Sequence, residues 1–110
     1  MTRDEKKYLF DISESIQMIF DDYLDGIHSL DDYENDSKTQ DAIERRLLII
    51  AEALYKLRRL GTNLPSADQI INRRNTIAHQ YDEYNPYAIW DSIHKELPDL
   101  KVEVDRLLAE

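Results

Sequence analysis

An apolar residue recurs at every third or fourth position through the first thirty residues: Leu9, Ile12, Ile16, Ile19, Tyr23, Ile27 and Leu30. At about 100° per residue this period lays one continuous stripe along a helix, whereas a strand, with its alternating faces, would scatter it. The pattern returns at Ile43, Leu47, Ile50, Leu54 and Leu57. Two Gly and three Pro in 110 residues, with no alternating apolar and polar run, leave no signal for a sheet. The chain therefore reads as all-α, an up-and-down helical bundle of about five helices forming a single domain over residues 1–110.

Punctuation residues set the expected boundaries. Thr2 and Glu5 have capping-box spacing, so the first helix should begin near Thr2 and carry its stripe to Leu30, with Gly26 marking a bend or a close contact. Residues 29–39 are acidic and polar, offer only Leu30 and Tyr33 for burial, and read as a loop. A second helix follows from Lys38 to Leu60, with Gly61 where a left-handed cap is wanted. Ser66 and Gln69 form another capping box that opens a third helix through Ile77 and Ala78. Asn85 and Pro86 open a fourth, which Pro98 should interrupt, so that a last segment carries Leu100, Val104, Leu107 and Leu108.

Composition narrows the chemistry. A content of 42% hydrophobic and 34% charged residues suits a globular core, and the net charge of −9 argues against a general nucleic-acid coat protein. Any nucleic-acid chemistry must be local. With no Cys there is no disulfide, no thiolate zinc site and no cysteine nucleophile, which fits a reducing compartment. The longest apolar run, Leu47 to Ala51, is far short of the ~20 residues of a membrane span, and the N-terminus lacks a signal peptide's apolar stretch. A cytoplasmic protein without a membrane partner is expected.

Residues 72–81 gather two guanidinium groups, two Asn amides, an imidazole and a phenol: Asn72, Arg73, Arg74, Asn75, His79 and Tyr81. Arg74 and Tyr81, seven apart, nearly eclipse on a helix, while Asn72, Asn75 and His79 form a neighbouring polar stripe. Arg74 and His79 are five apart and diverge by about 140°, so one straight helix makes a poor site. Two copies meeting about a two-fold axis would bring Arg74 of one towards His79 of the other and build the cluster twice. Arg and His without a metal suit phosphoryl transfer. His exchanges a proton near neutral pH, and the planar fork of Arg suits a phosphate that gains charge in the transition state. On RNA, His79 could deprotonate a 2′-hydroxyl while Arg74 stabilises the pentacoordinate phosphorus, leaving a 2′,3′-cyclic phosphate. No metal or cofactor is called for.

The run Arg74-Asn-Thr-Ile-Ala-His79 resembles the Arg-x4-His signature of the HEPN superfamily, and its extension to Tyr81 resembles the Arg-x4-His-x-Tyr form of HepT-like toxins. Residues 41–54, and Trp90 followed by Leu97-Pro98-Asp99-Leu100, resemble the second-helix and C-terminal segments of that family, so the likeness covers nearly the whole chain. One departure is Ala51, where members often have Gly; it should alter packing more than chemistry. The resemblance implies a homodimer joined through the motif-bearing face and a metal-independent endoribonuclease toxin cutting RNA. It further implies an MntA-like minimal nucleotidyltransferase antitoxin as partner. On this basis Arg74 and His79 are catalytic and Tyr81 is the hydroxyl that receives AMP, which would set a phosphate and a nucleoside where substrate must bind. The alternative is a non-catalytic HEPN module that binds a nucleotide or regulates a nucleotidyltransferase.

Other residues admit two readings. Arg73 is a candidate second phosphate contact or a solvated, salt-bridged residue, and Asn75 could orient the His79 ring, hold a phosphate, or be a surface amide. Glu52, inside an apolar run, is either exposed or buried with Arg73 or Arg74 as its partner. Arg45, Arg46, Arg58 and Arg59 could form a local positive channel. His28 and His94 have no partner at ligand spacing and read as structural. The acidic residues from Asp31 to Asp36 lack the Gly and terminal Glu of an EF-hand loop and read as solvated. Seven Tyr are plentiful for this length and serve either base stacking or packing.

Overall fold

The computed structural model describes the backbone of residues 1–79 and 85–110 and the side chains of 1–74 and 85–110. Five α-helices and no strand occur among the described residues: α1 (Arg3–Gln17), α2 (Leu30–Glu34), α3 (Ser37–Arg59), α4 (Ala67–His79) and α5 (Pro86–Leu108). They pack as a helical bundle, with α1 between α3 and α5 and with α4 laid against α3.

The sequence stripes are the core. Leu9, Ile12, Ile16 and Ile19 face Ile43, Leu47, Ile50, Leu54 and Leu57 of α3 and Ile89, Ile93, Leu97, Leu100 and Val104 of α5, all of them buried. Burial of such a side chain contributes about 1.5–3 kcal/mol, so these three helices carry most of the stability. The capping box at the start of α1 forms as expected: the Thr2 hydroxyl accepts from the Glu5 N–H and the Glu5 carboxylate accepts from the Thr2 N–H. At the other end of α3, Gly61 adopts φ +97°. The Gly61 N–H reaches the Arg58 carbonyl at 3.0 Å and the Thr62 N–H the Leu57 carbonyl at 2.9 Å, which is a Schellman cap.

Three local expectations are corrected. The first stripe does not run on to Leu30, because Met18–Tyr23 form a π-helical turn. The Leu24 N–H bonds the Ile19 carbonyl, five residues back, and the extra residue in the turn shifts the register so that Leu24 is buried while Tyr23 is only half-buried. Residues 29–39 are not a loop throughout. Ser29 caps the short α2, which exists to bury Tyr33 against the Trp90 ring, 5.6 Å away. Gln40 closes its far end by donating to the carbonyls of Tyr33 and Glu34. Finally, Pro98 does not interrupt α5. Leu97 and Leu100 on either side are fully buried, and their packing outweighs the one hydrogen bond that Pro removes.

Candidate active site

Helix α4 brings the two adjacent arginines into opposite circumstances. Arg73 turns to α5, where its guanidinium meets the Glu96 carboxylate at 3.3 Å, with side-chain exposures of 30% and 13%. Arg73 Nε and the second Glu96 oxygen are buried and make no hydrogen bond among the described residues. The pair is thus a tie between helices, with the guanidinium committed to it. Arg74, about 100° further round, points elsewhere. It lines a cleft of about 420 Å³ between α1 and α3, with Tyr8, Asp11, Arg45, Ile49 and Glu52 among the walls. It also lines a second cleft of about 330 Å³ with Ala51, Glu52, Tyr55 and Ile71. Arg74 forms no ion pair among the described residues.

Glu52 does not take an arginine. It is exposed and pairs with Lys56, one turn on, at 3.7 Å. Lys7 pairs with Asp11 at 3.0 Å, and this carboxylate raises the Lys7 pKa above its ordinary value, keeping the ammonium charged. Ala51 is buried and stands beside Arg74 in the second cleft, so the size of residue 51 helps set how closely α4 approaches α3. The four arginines of α3 separate. Arg45 lines the cleft of Arg74, Arg59 lies 6.0 Å from the Tyr55 ring, Arg58 pairs with Asp68, and Arg46 turns to the sulfur of Met18 at the π-helical turn.

The backbone carries α4 through Asn75 and His79; their side chains, and Tyr81 entirely, lie outside the described residues. His94 belongs to an aromatic cluster, its Nδ1 2.8 Å from the Trp90 carbonyl and its ring 4.3 Å from that of Trp90, with the two planes tilted by 50°. No group of three or more His, Asp or Glu poised for a metal occurs among the described residues, and no helix among them is long and apolar enough to cross a membrane. Spacing gave no sign of Glu96, Tyr8 or Lys56, because each reaches the neighbourhood of Arg73 or Arg74 from another helix.

A helical bundle whose fourth helix carries Arg-x4-His is the architecture of the HEPN superfamily, and comparison with known proteins narrows this further. The family model described as Ribonuclease HepT-like matches residues 12–107, and the chain belongs to that family. A protein named "Probable ribonuclease HepT" from Thermococcus cleftensis is 31% identical, covering 97% of this chain and 98% of its own. One named "Putative RNase" from Caldanaerobacter subterraneus is 32% identical over 73% of this chain and 74% of its own. A further "Putative RNase", from Methanocaldococcus jannaschii, is 28% identical over 98% and 90%. No solved structure matches.

Proposed function

We propose that the protein is a metal-independent endoribonuclease, the toxin of a type VII-like toxin–antitoxin pair in the cytoplasm. Arg74 and His79 are its catalytic residues, at a site shared by two copies. His79 takes the proton of a ribose 2′-hydroxyl, and the 2′-oxygen attacks the adjacent phosphorus. Arg74 stabilises the charge that gathers on the phosphoryl oxygens. The imidazolium so formed returns its proton to the departing 5′-oxygen, leaving a 2′,3′-cyclic phosphate and a 5′-hydroxyl. Asn75 helps hold the phosphate, and Arg73 supports the site from its tie to Glu96. Tyr81, two residues beyond His79, receives AMP from an MntA-like nucleotidyltransferase, which fills the site with a phosphate and a nucleoside.

The observation that carries this reading is Arg74. It stands at the junction of two clefts with its guanidinium uncommitted to any described carboxylate, while its neighbour Arg73 is spent on Glu96. Membership of a ribonuclease family supports it. The test is incubation of the unmodified protein with total RNA in excess EDTA, beside His79→Ala. Discrete fragments ending in 2′,3′-cyclic phosphate from the parent alone are expected. Intact RNA, from protein whose mass excludes AMP on Tyr81, would leave the non-catalytic, nucleotide-binding reading in its place.

A further inference from the structure

Arg74 opens onto a furrow rather than a bare surface. The two clefts it lines adjoin a third, walled by Asp4, Tyr8, Glu52, Tyr55, Lys56 and Arg59, and Glu52 stands in all three. Together they follow α3 from Arg45 to Arg59, 14 positions or about 21 Å of helix. Two aromatic rings mark the course. Lys7 and Lys56 lie 5.5 and 5.4 Å from the centre of the Tyr8 ring, and Arg59 lies 6.0 Å from that of Tyr55, which is 47% exposed. Five of the chain's 14 cations (Lys7, Arg45, Lys56, Arg59 and Arg74) line the furrow, against three of its 23 carboxylates (Asp4, Asp11 and Glu52). On a chain of net charge −9 this is a local reversal of sign, which draws a polyanion to one place.

We infer that the furrow binds a single-stranded stretch of RNA, stacking bases on Tyr55 and Tyr8 and leading the backbone to Arg74. The inference rests on the ribonuclease reading for the role of Arg74 and adds the track that supplies it. Cations parked on aromatic faces occupy the places a base would take; when a base displaces them they stay within reach of its phosphates. A duplex hides its base faces and cannot use these rings, whereas an unpaired strand can. A protein partner is disfavoured because an apolar face would have to desolvate Arg45, Arg59 and Arg74, which have no carboxylate partner among the described residues, without phosphates to compensate them.

The test is fluorescence anisotropy with a labelled 2′-O-methyl oligouridylate of about 12 nucleotides, which lacks the nucleophile and is not cut. Tyr55→Ala should weaken binding about 5- to 100-fold and Tyr55→Phe should restore it, since stacking needs the ring and not the hydroxyl. Arg45→Ala with Arg59→Ala should lower the slope of log affinity against log salt by about 1.4, and Arg58→Ala, whose guanidinium is engaged by Asp68, should leave it. The same strand annealed to its complement should bind Tyr55→Ala and parent alike. Unchanged strand binding by a folded Tyr55→Ala protein would overturn the inference. So would loss of a dimer in that variant by sedimentation, which would make the furrow an interface between copies. If the parent shows these dependences yet never cuts unmethylated RNA, the ribonuclease reading fails and the track stands. If it cuts RNA but binding ignores Tyr55, the reverse holds.

Discussion

The groove between α1 and α5 encloses about 540 Å³ and the one between α1 and α3 about 420 Å³, yet the smaller is the one with cations to spare. The larger is walled by Ile16, Phe20, Pro98 and Val102. Its single cation, Lys101, is held by Asp105 at 2.6 Å, and Asp105 also accepts from Ser13 at 2.6 Å. In the smaller groove Lys7 and Lys56 are likewise paired, with Asp11 at 3.0 Å and Glu52 at 3.7 Å, but Arg45 and Arg74 form no ion pair among the described residues. Volume and unpaired charge therefore point to opposite sides of α1. What separates the two is whether the fold has already neutralised its own charge, because a neutralised rim offers an anionic ligand nothing.

Arg74→Ala breaks this contrast most severely. It should lower the cleavage rate about 10²- to 10³-fold, as loss of a donor to developing charge does, while Val102→Ser on the far groove leaves the rate unchanged. Initial rates on a labelled RNA decide it, and equal losses would abolish the distinction. Next comes the common support: Leu54 is buried in the core on α3, and Leu54→Ala should cost about 2–5 kcal/mol in a urea titration. Glu96→Ala should cost less, about 1–2 kcal/mol, because the Arg73 pair retains some solvent, but it should reduce kcat more than KM as α4 loses its tie.

The smallest effect belongs to the neutralised rim. Bonds from Lys101, then Ser13, hold the Asp105 carboxyl below its ordinary pKa of 3.8. A carboxylate depressed by folding stabilises the native state above its unfolded pKa and loses that contribution as pH falls through the folded value. Ser13→Ala should thus cost under about 1 kcal/mol at pH 7, since Asp105 is largely solvated, and the gap to the parent should close in thermal melts taken progressively below about pH 4.

The fold was legible wherever burial follows helical period, as at Ile43, Leu47, Ile50, Leu54 and Leu57. It was illegible where packing overrides local preference: at the π-helical turn before Leu24, at Tyr33, which draws α2 out of an acidic stretch, and at Pro98, carried through a helix by buried neighbours. The candidate site divides in the same way. Arg74, Arg73 and His79 could be read because a helix makes their spacing local. Glu96 could not, since it lies 23 positions from Arg73 on another helix, and the exposed Glu52 offered itself as a nearer partner.

The bond from Ser13 to Asp105 spans 92 positions, and α1 depends on α5 for one wall of its core. A ribosome adding about 5–20 residues each second exposes the stripe of α1 roughly 5–20 s before α5 is made to cover it. Arg73 likewise emerges before the Glu96 that ties it. The helix bearing the Arg-x4-His run can therefore settle on α3 as soon as it is made, but its tie to Glu96 waits for α5.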